Sequence, residues 1–111
     1  MTRALDIAPQ HLAIVTLVLR ELAPANAKIW VFGSRARGEA KRASDLDLAI
    51  DAGRKLTLHE TAALAEALDE APLPYSVDVV DLHSVSEAFA AIIEKDKVPL
   101  PGFDVAEVQE K

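Results

Sequence analysis

The chain has 111 residues, 50 % of them apolar and 27 % charged, with a net charge of −6 and no cysteine. That length fits one packed domain, which buries roughly 60 to 70 % of the surface its unfolded chain exposes. The missing cysteines exclude a disulfide scaffold and a cysteine-based zinc site, the apolar runs fall well short of the roughly 20 residues of a membrane helix, and the acidic balance argues against broad nucleic-acid binding, whose affinity comes from Lys and Arg on phosphates.

Met1 to Asp6 lacks the basic start, apolar stretch and cleavage site of a secretory signal, so a cytoplasmic location is expected. From Pro9 to Leu22, the residues Leu12, Val15, Leu19 and Leu22, flanked by Ile14 and Val18, follow the spacing of a helix with one buried stripe. Ala23-Pro24-Ala25-Asn26 ends it. Lys28 to Phe32 reads as a buried strand, with Trp30 in the core, and Gly33 stops it. Ser34 to Ser44 holds almost no large apolar residue and predicts a short helix and a loop. Its Arg35, Arg37, Lys41 and Arg42 fall within eight positions, a cationic patch suited to a compact polyanion or simply a solvated loop.

Asp45 to Asp51 alternates strictly. Leu46, Leu48 and Ile50 turn to one side, and Asp45, Asp47, Ala49 and Asp51 form a predicted acidic face on the other. After a turn at 52–55, Thr57 and Glu60 have the form of a capping box, and the helix they start buries Leu64 and Leu68 before Pro72. Tyr75 to Asp81 predicts a third strand. Ser84 and Glu87 read as a second capping box, opening a helix that buries Phe89, Ile92 and Ile93. The expected fold class is α/β (α+β), a small mixed β-sheet with flanking helices. One domain is expected over 1–111, with its core at about 9–95 and a docked tail or frayed helix at 96–111.

Three features carry chemistry. Gly33-Ser34 directly after a buried strand offers backbone amides and a hydroxyl to a phosphate, although such a pair alone is also an ordinary turn. Asp45 and Asp47, two apart in a strand, set their carboxylates about 7 Å from each other on one face. A divalent cation relieves that repulsion, and oxygen-only donors suit magnesium. The same acids would also suit the wet side of an edge strand. Asp78, among Val77, Val79 and Val80, needs a reason such as metal ligation, and it joins Asp45 and Asp47 if the two strands pair. Asp81 points to the opposite face and competes as a turn cap. His11, His59 and His83 show no metal-ligand spacing, and no Ser-His-Asp or Gly-x-Gly-x-x-Gly arrangement is present.

Together, Gly33-Ser34, ten intervening residues and Asp45-Leu46-Asp47 resemble the Gly-Ser-x10-Asp-x-Asp signature of the minimal nucleotidyltransferases in the DNA polymerase β superfamily. The likeness extends through Gly33 to Ala40, through Ser44 to Leu48, and to Val77 to Asp81. It implies a polymerase-β-like fold in which Gly33 and Ser34 hold the β and γ phosphates of ATP. Asp45, Asp47 and Asp78 would bind magnesium, two ions in the two-metal scheme. Asp78 would assist deprotonation of the acceptor, and Arg35 and Arg37 would steady phosphates.

A chain of this size and pattern resembles the MntA-type antitoxins. Those are encoded beside a HEPN-domain ribonuclease toxin, which they silence by placing AMP on a tyrosine. A hetero-oligomer with such a toxin is the implied assembly. Two alternatives remain: an antitoxin that masks its toxin without turnover, and nucleotide transfer to a small molecule such as an antibiotic.

Overall fold

The computed structural model of the chain describes residues 5–41 and 43–103. Its element order is α1 (Pro9–Leu22), β1 (Lys28–Phe32), α2 (Ser34–Arg37), β2 (Leu46–Asp51), α3 (Leu58–Glu70), β3 (Val77–Asp81), α4 (Glu87–Asp96) and β4 (Val98–Pro99). The helix starts follow local chemistry. Pro9 opens α1 without a side-chain cap, because its fixed φ suits the first turn and its missing N–H would have no helical partner there. At α3 the predicted box forms: Thr57 Oγ1 accepts from Glu60 N at 3.0 Å, and the Glu60 carboxylate accepts from Thr57 N at 2.9 Å.

The second predicted box does not form. Ser86 caps α4, its hydroxyl accepting from Phe89 N at 3.1 Å, while Ser84 Oγ donates to the Asp81 carboxylate at 3.0 Å. An acceptor three residues upstream has drawn Ser84 into the turn instead of the helix.

The four strands lie in the order β3-β2-β1-β4. β1 is antiparallel to both neighbours, with Ile29 opposite Ile50 and Phe32 opposite Asp47. β2 and β3 are parallel, with Asp47 opposite Asp78. Parallel neighbours need a crossover, and α3 supplies it.

The two faces of the sheet are covered unequally. On one, Leu46, Leu48 and Ile50 pack with Ile29 and Val31 against Val15 and Leu19 of α1 and Leu64 of α3. On the other, only Phe32 and Ala49, with Val80 and Leu82 at the margin, meet Ile93 of α4. The face expected to be acidic throughout is therefore closed in its middle, where Ala49 is fully buried, and acidic at its ends. Because that second contact is small, α4 buries Ile93 alone. Phe89 and Ile92, expected in the core, are 36 % and 57 % exposed, and Phe89 rests edge-on against Phe32 at 6.1 Å. Trp30, also expected in the core, is half-buried, with the Lys97 ammonium 4.0 Å over its ring.

Past Lys97, the segment expected to be a tail begins as an edge strand. Val98 and Pro99 pair with Val31 and Trp30, and Leu100 N donates to Ile29 O at 2.9 Å. Leu100 is fully buried and Phe103 nearly so, both within the larger core. Proline fits here because an edge strand leaves one side of its backbone outside the ladder. The remainder of the expected tail, 104–111, lies outside the described residues.

Candidate functional site

β1 delivers the chain to Gly33 at the end of the sheet. Gly33 has φ +78° and ψ −156°, a conformation closed to side-chain-bearing residues, and Ser34 follows it as the first residue of α2. The amides of Ala36 and Arg37 both return to Gly33 O at 3.1 Å, which bends the segment back across the strand ends. A Cβ on Gly33 would stand 2.5 Å from Asp47 Oδ2. The glycine is thus required twice, for its torsion and for the carboxylate lying against it.

Asp47 sits second in β2, half-buried, and its register partner in β3 is Asp78. Directly paired residues of parallel strands put their side chains on the same face, with the strands about 4.8 Å apart. Asp45 is exposed, one residue before the strand begins. Burial raises the Asp47 carboxyl above its ordinary value, and the negative charges of Asp78 and then Asp45 raise it further against a smaller pull from Arg37. The three predicted carboxylates and the Arg37 cation therefore share one electrostatic neighbourhood beside Gly33.

The donor set consists of hard oxygens bearing excess negative charge, which fits magnesium. Among the described residues no group of three or more acidic or histidine side chains is arranged to hold a metal ion. Magnesium commonly takes one or two carboxylates, completing its shell with waters and substrate phosphates.

Asp81 does cap the turn. Its carboxylate accepts from Leu56 N at 2.8 Å, His83 N at 2.9 Å and Ser84 Oγ at 3.0 Å. Burial alone would raise its pKa, but these hydrogen bonds outweigh burial and hold it below the ordinary value.

The two arginines read from sequence as phosphate contacts separate. Arg37 is on the surface, its guanidinium held by Glu39 at 2.9 Å and by Asp96 of α4 at 2.8 Å. Arg35 turns inward. It is 5 % exposed, donates to the carbonyls of Asp6, Lys41 and Ser44, and lies 4.0 Å over the Tyr75 ring. Successive odd positions in one helical turn point in different directions, so Arg-x-Arg cannot serve a single ligand in the way that Asp-x-Asp on a strand can. Arg42 lies outside the described residues.

Sequence reading missed Tyr75 and the Ser44 carbonyl as parts of this corner. The one signal in the sequence was an arginine between a glycine-serine turn and an alanine. The histidines take ordinary positions. His83 pairs with Asp51 at 2.7 Å, His11 packs edge-on against Tyr75 at 5.4 Å, and His59 is exposed.

Comparison with known proteins gives a consistent answer. The family described as "Polymerase beta, Nucleotidyltransferase" matches residues 19–101. The "Probable protein adenylyltransferase MntA" of Haemophilus influenzae is 45 % identical over 91 residues, covering 82 % of this chain and 79 % of that protein. Among solved structures, a toxin-antitoxin crystal structure with AMP-PNP superposes with a TM-score of 0.70 at 28 % identity, covering 87 % of this chain and 77 % of the other. The complex of a tri-AMPylated Shewanella oneidensis HEPN toxin with its MNT antitoxin superposes with a TM-score of 0.59 at 26 % identity, covering 87 % and 80 %.

Proposed function

The chain belongs to the polymerase β nucleotidyltransferase family, and from that premise we propose that it is an antitoxin that transfers AMP from ATP to a tyrosine hydroxyl of a cognate HEPN ribonuclease toxin in the cytoplasm. The observation that carries the reading is the pairing of Asp47, which lies directly against Gly33, with Asp78 in register. A phosphate seat and a two-strand carboxylate cluster then face one small volume. The toxin as acceptor is supported by the relatives, whose structures are toxin-antitoxin complexes, one with its HEPN toxin AMPylated.

In this mechanism Gly33 and Ser34 hold the β and γ phosphates, and Arg37, exchanging its surface carboxylates for phosphate oxygens, steadies the triphosphate. Asp45 and Asp47 would hold magnesium, and Asp78 would complete the set. When bound, the metal would neutralise phosphate charge and lower the pKa of the attacking hydroxyl. Asp78 orients that hydroxyl and accepts its proton. The hydroxyl oxygen forms a bond to the α phosphorus, the bond from that phosphorus to the bridging oxygen breaks, and pyrophosphate leaves in line. The repulsion that Asp78 and Asp45 exert on Asp47 in the bare state is what a bound cation would relieve.

The test is intact mass of the HEPN protein co-expressed with this chain or with its Asp45→Asn, Asp47→Asn double variant. A gain of one or more AMP masses with the natural chain alone is expected, the complex forming in both cases. Neutralisation of the toxin without any mass gain would replace catalysis by masking.

A further inference from the structure

Among the described residues, Arg35 is the one charged side chain buried to 5 % exposure. A guanidinium is tolerated there only when its donors are satisfied, and four hydrogen bonds to backbone carbonyls are among the contacts that satisfy this one. Nη1 donates to Asp6 O at 2.8 Å, Nε and Nη2 both donate to Ser44 O at 3.1 and 2.8 Å, and Nη2 also reaches Lys41 O at 3.4 Å. The flat face of the group lies 4.0 Å from the centre of the Tyr75 ring.

Its own backbone and two of its partners, Ser44 and Tyr75, lead to different parts of the site. The backbone of Arg35 is bonded to Ser34, and Ser44 is bonded to Asp45. Tyr75 adjoins Ser76, whose carbonyl accepts from Leu46 N at 2.9 Å, two residues before Asp78. One cation therefore touches the three segments that carry Gly33-Ser34, Asp45-x-Asp47 and Asp78.

We propose that Arg35 is a positioning residue for nucleotidyl transfer, fixing the phosphate seat relative to the carboxylate cluster; the proposal rests on the nucleotidyltransferase reading given above. The arrangement needs an arginine. Lysine presents a compact charge that can serve one or two carbonyls, but it has neither the forked donors that grip Ser44 O nor the plane that stacks on Tyr75. In-line displacement is intolerant of misplacement, an error of 1 Å costing roughly 100-fold in rate. Because the described contacts of Arg35 are with carbonyls and a ring, its loss is expected to act on alignment and to leave capture of the nucleotide largely intact.

The experiment measures kcat and KM for ATP in AMP transfer to the toxin, calorimetric affinity for AMP-PNP, and melting temperature. The proteins are the natural chain, Arg35→Lys and Tyr75→Leu. For Arg35→Lys, kcat is expected to fall by about 30-fold or more, while KM and AMP-PNP affinity stay within about 3-fold. Tyr75→Leu is expected to show the same split with a smaller fall. An Arg35→Lys kcat within about 3-fold of the natural value overturns the proposal, and so does a loss carried by KM and AMP-PNP affinity, which would make Arg35 a phosphate contact. If Arg35→Lys does not fold, Tyr75→Leu decides, an unchanged kcat overturning the proposal. Failure of the natural chain to transfer AMP removes the nucleotidyltransferase reading and this one with it. Equal activity of the natural chain and Arg35→Lys removes this one alone.

Discussion

Replacing Asp47 with Asn should make the metal-free protein more stable while abolishing its activity. Asp47 lies half-buried beside Asp78, across a parallel pair whose strands are about 4.8 Å apart. Two carboxylates about 6 Å apart repel by about 3 kcal/mol at an effective dielectric of 20, and solvent screening of these partly exposed groups reduces that to about 1 kcal/mol. For a domain of this length, about 1 kcal/mol corresponds to a rise in melting temperature of about 4 °C.

The effect has a pH signature. The folded-state pKa of Asp47 is raised above the ordinary 3.8. Its contribution to stability is therefore fully present below that ordinary value and is lost as pH rises through the folded one. Asn should stabilise at pH 7 and give no gain near pH 3. Thermal melts in EDTA at both pH values, repeated with magnesium, provide the assay, and magnesium should raise the natural chain's melting temperature more than the variant's. A variant no more stable than the natural chain at pH 7 in EDTA, or equally stabilised at pH 3, would refute the electrostatic account.

Gly33→Ala places a Cβ 2.5 Å from Asp47 Oδ2 at φ +78°; it should cost about 1–2 kcal/mol in denaturant melts and eliminate AMP transfer. Glu60, held by Arg54 and by the Thr57 amide, has its pKa lowered from 4.5 to about 2. Its contribution to stability is present above 4.5 and disappears as pH falls toward 2, and Arg54→Gln should move the Glu60 titration, followed by NMR, back toward its ordinary value. Leu100→Ala, at a fully buried position, should cost about 2–5 kcal/mol in urea unfolding, a loss that a peripheral tail would not show.

Much of this arrangement was legible because strand geometry leaves little choice. Alternation from Leu46 to Asp51 fixes which residues share a face, and the valines around Asp78 mark its strand, in which Asp78 itself is exposed. What escaped was decided by neighbours distant in sequence. Ala49 reads as an ordinary member of a wet face until α4 covers it. Phe89 and Ile92 read as core because their spacing is helical, yet the contact beneath α4 has room for Ile93 alone. Val98 to Phe103 escaped because a two-residue edge strand carrying a proline has no periodicity, and its pairing with Trp30 and Val31 is a long-range choice. The burial of Arg35 escaped for a related reason: charge predicts solvent or ligand, and the carbonyls and ring gathered around it show a third destination.

The pairing of Asp47 with Asp78 ties correct folding to correct chemistry. The same register that sets these two acids side by side puts Leu46 opposite Val77 and Leu48 opposite Val79 on the core side. A slip of one residue would exchange the faces of β3, sending Asp78 toward the oily layer and a valine toward the carboxylates. The aliphatic layer thus acts as a proofreader for the reactive one: a chain that has mispaired its strands has also lost its core, so an assembly error cannot persist as a stable, inert decoy.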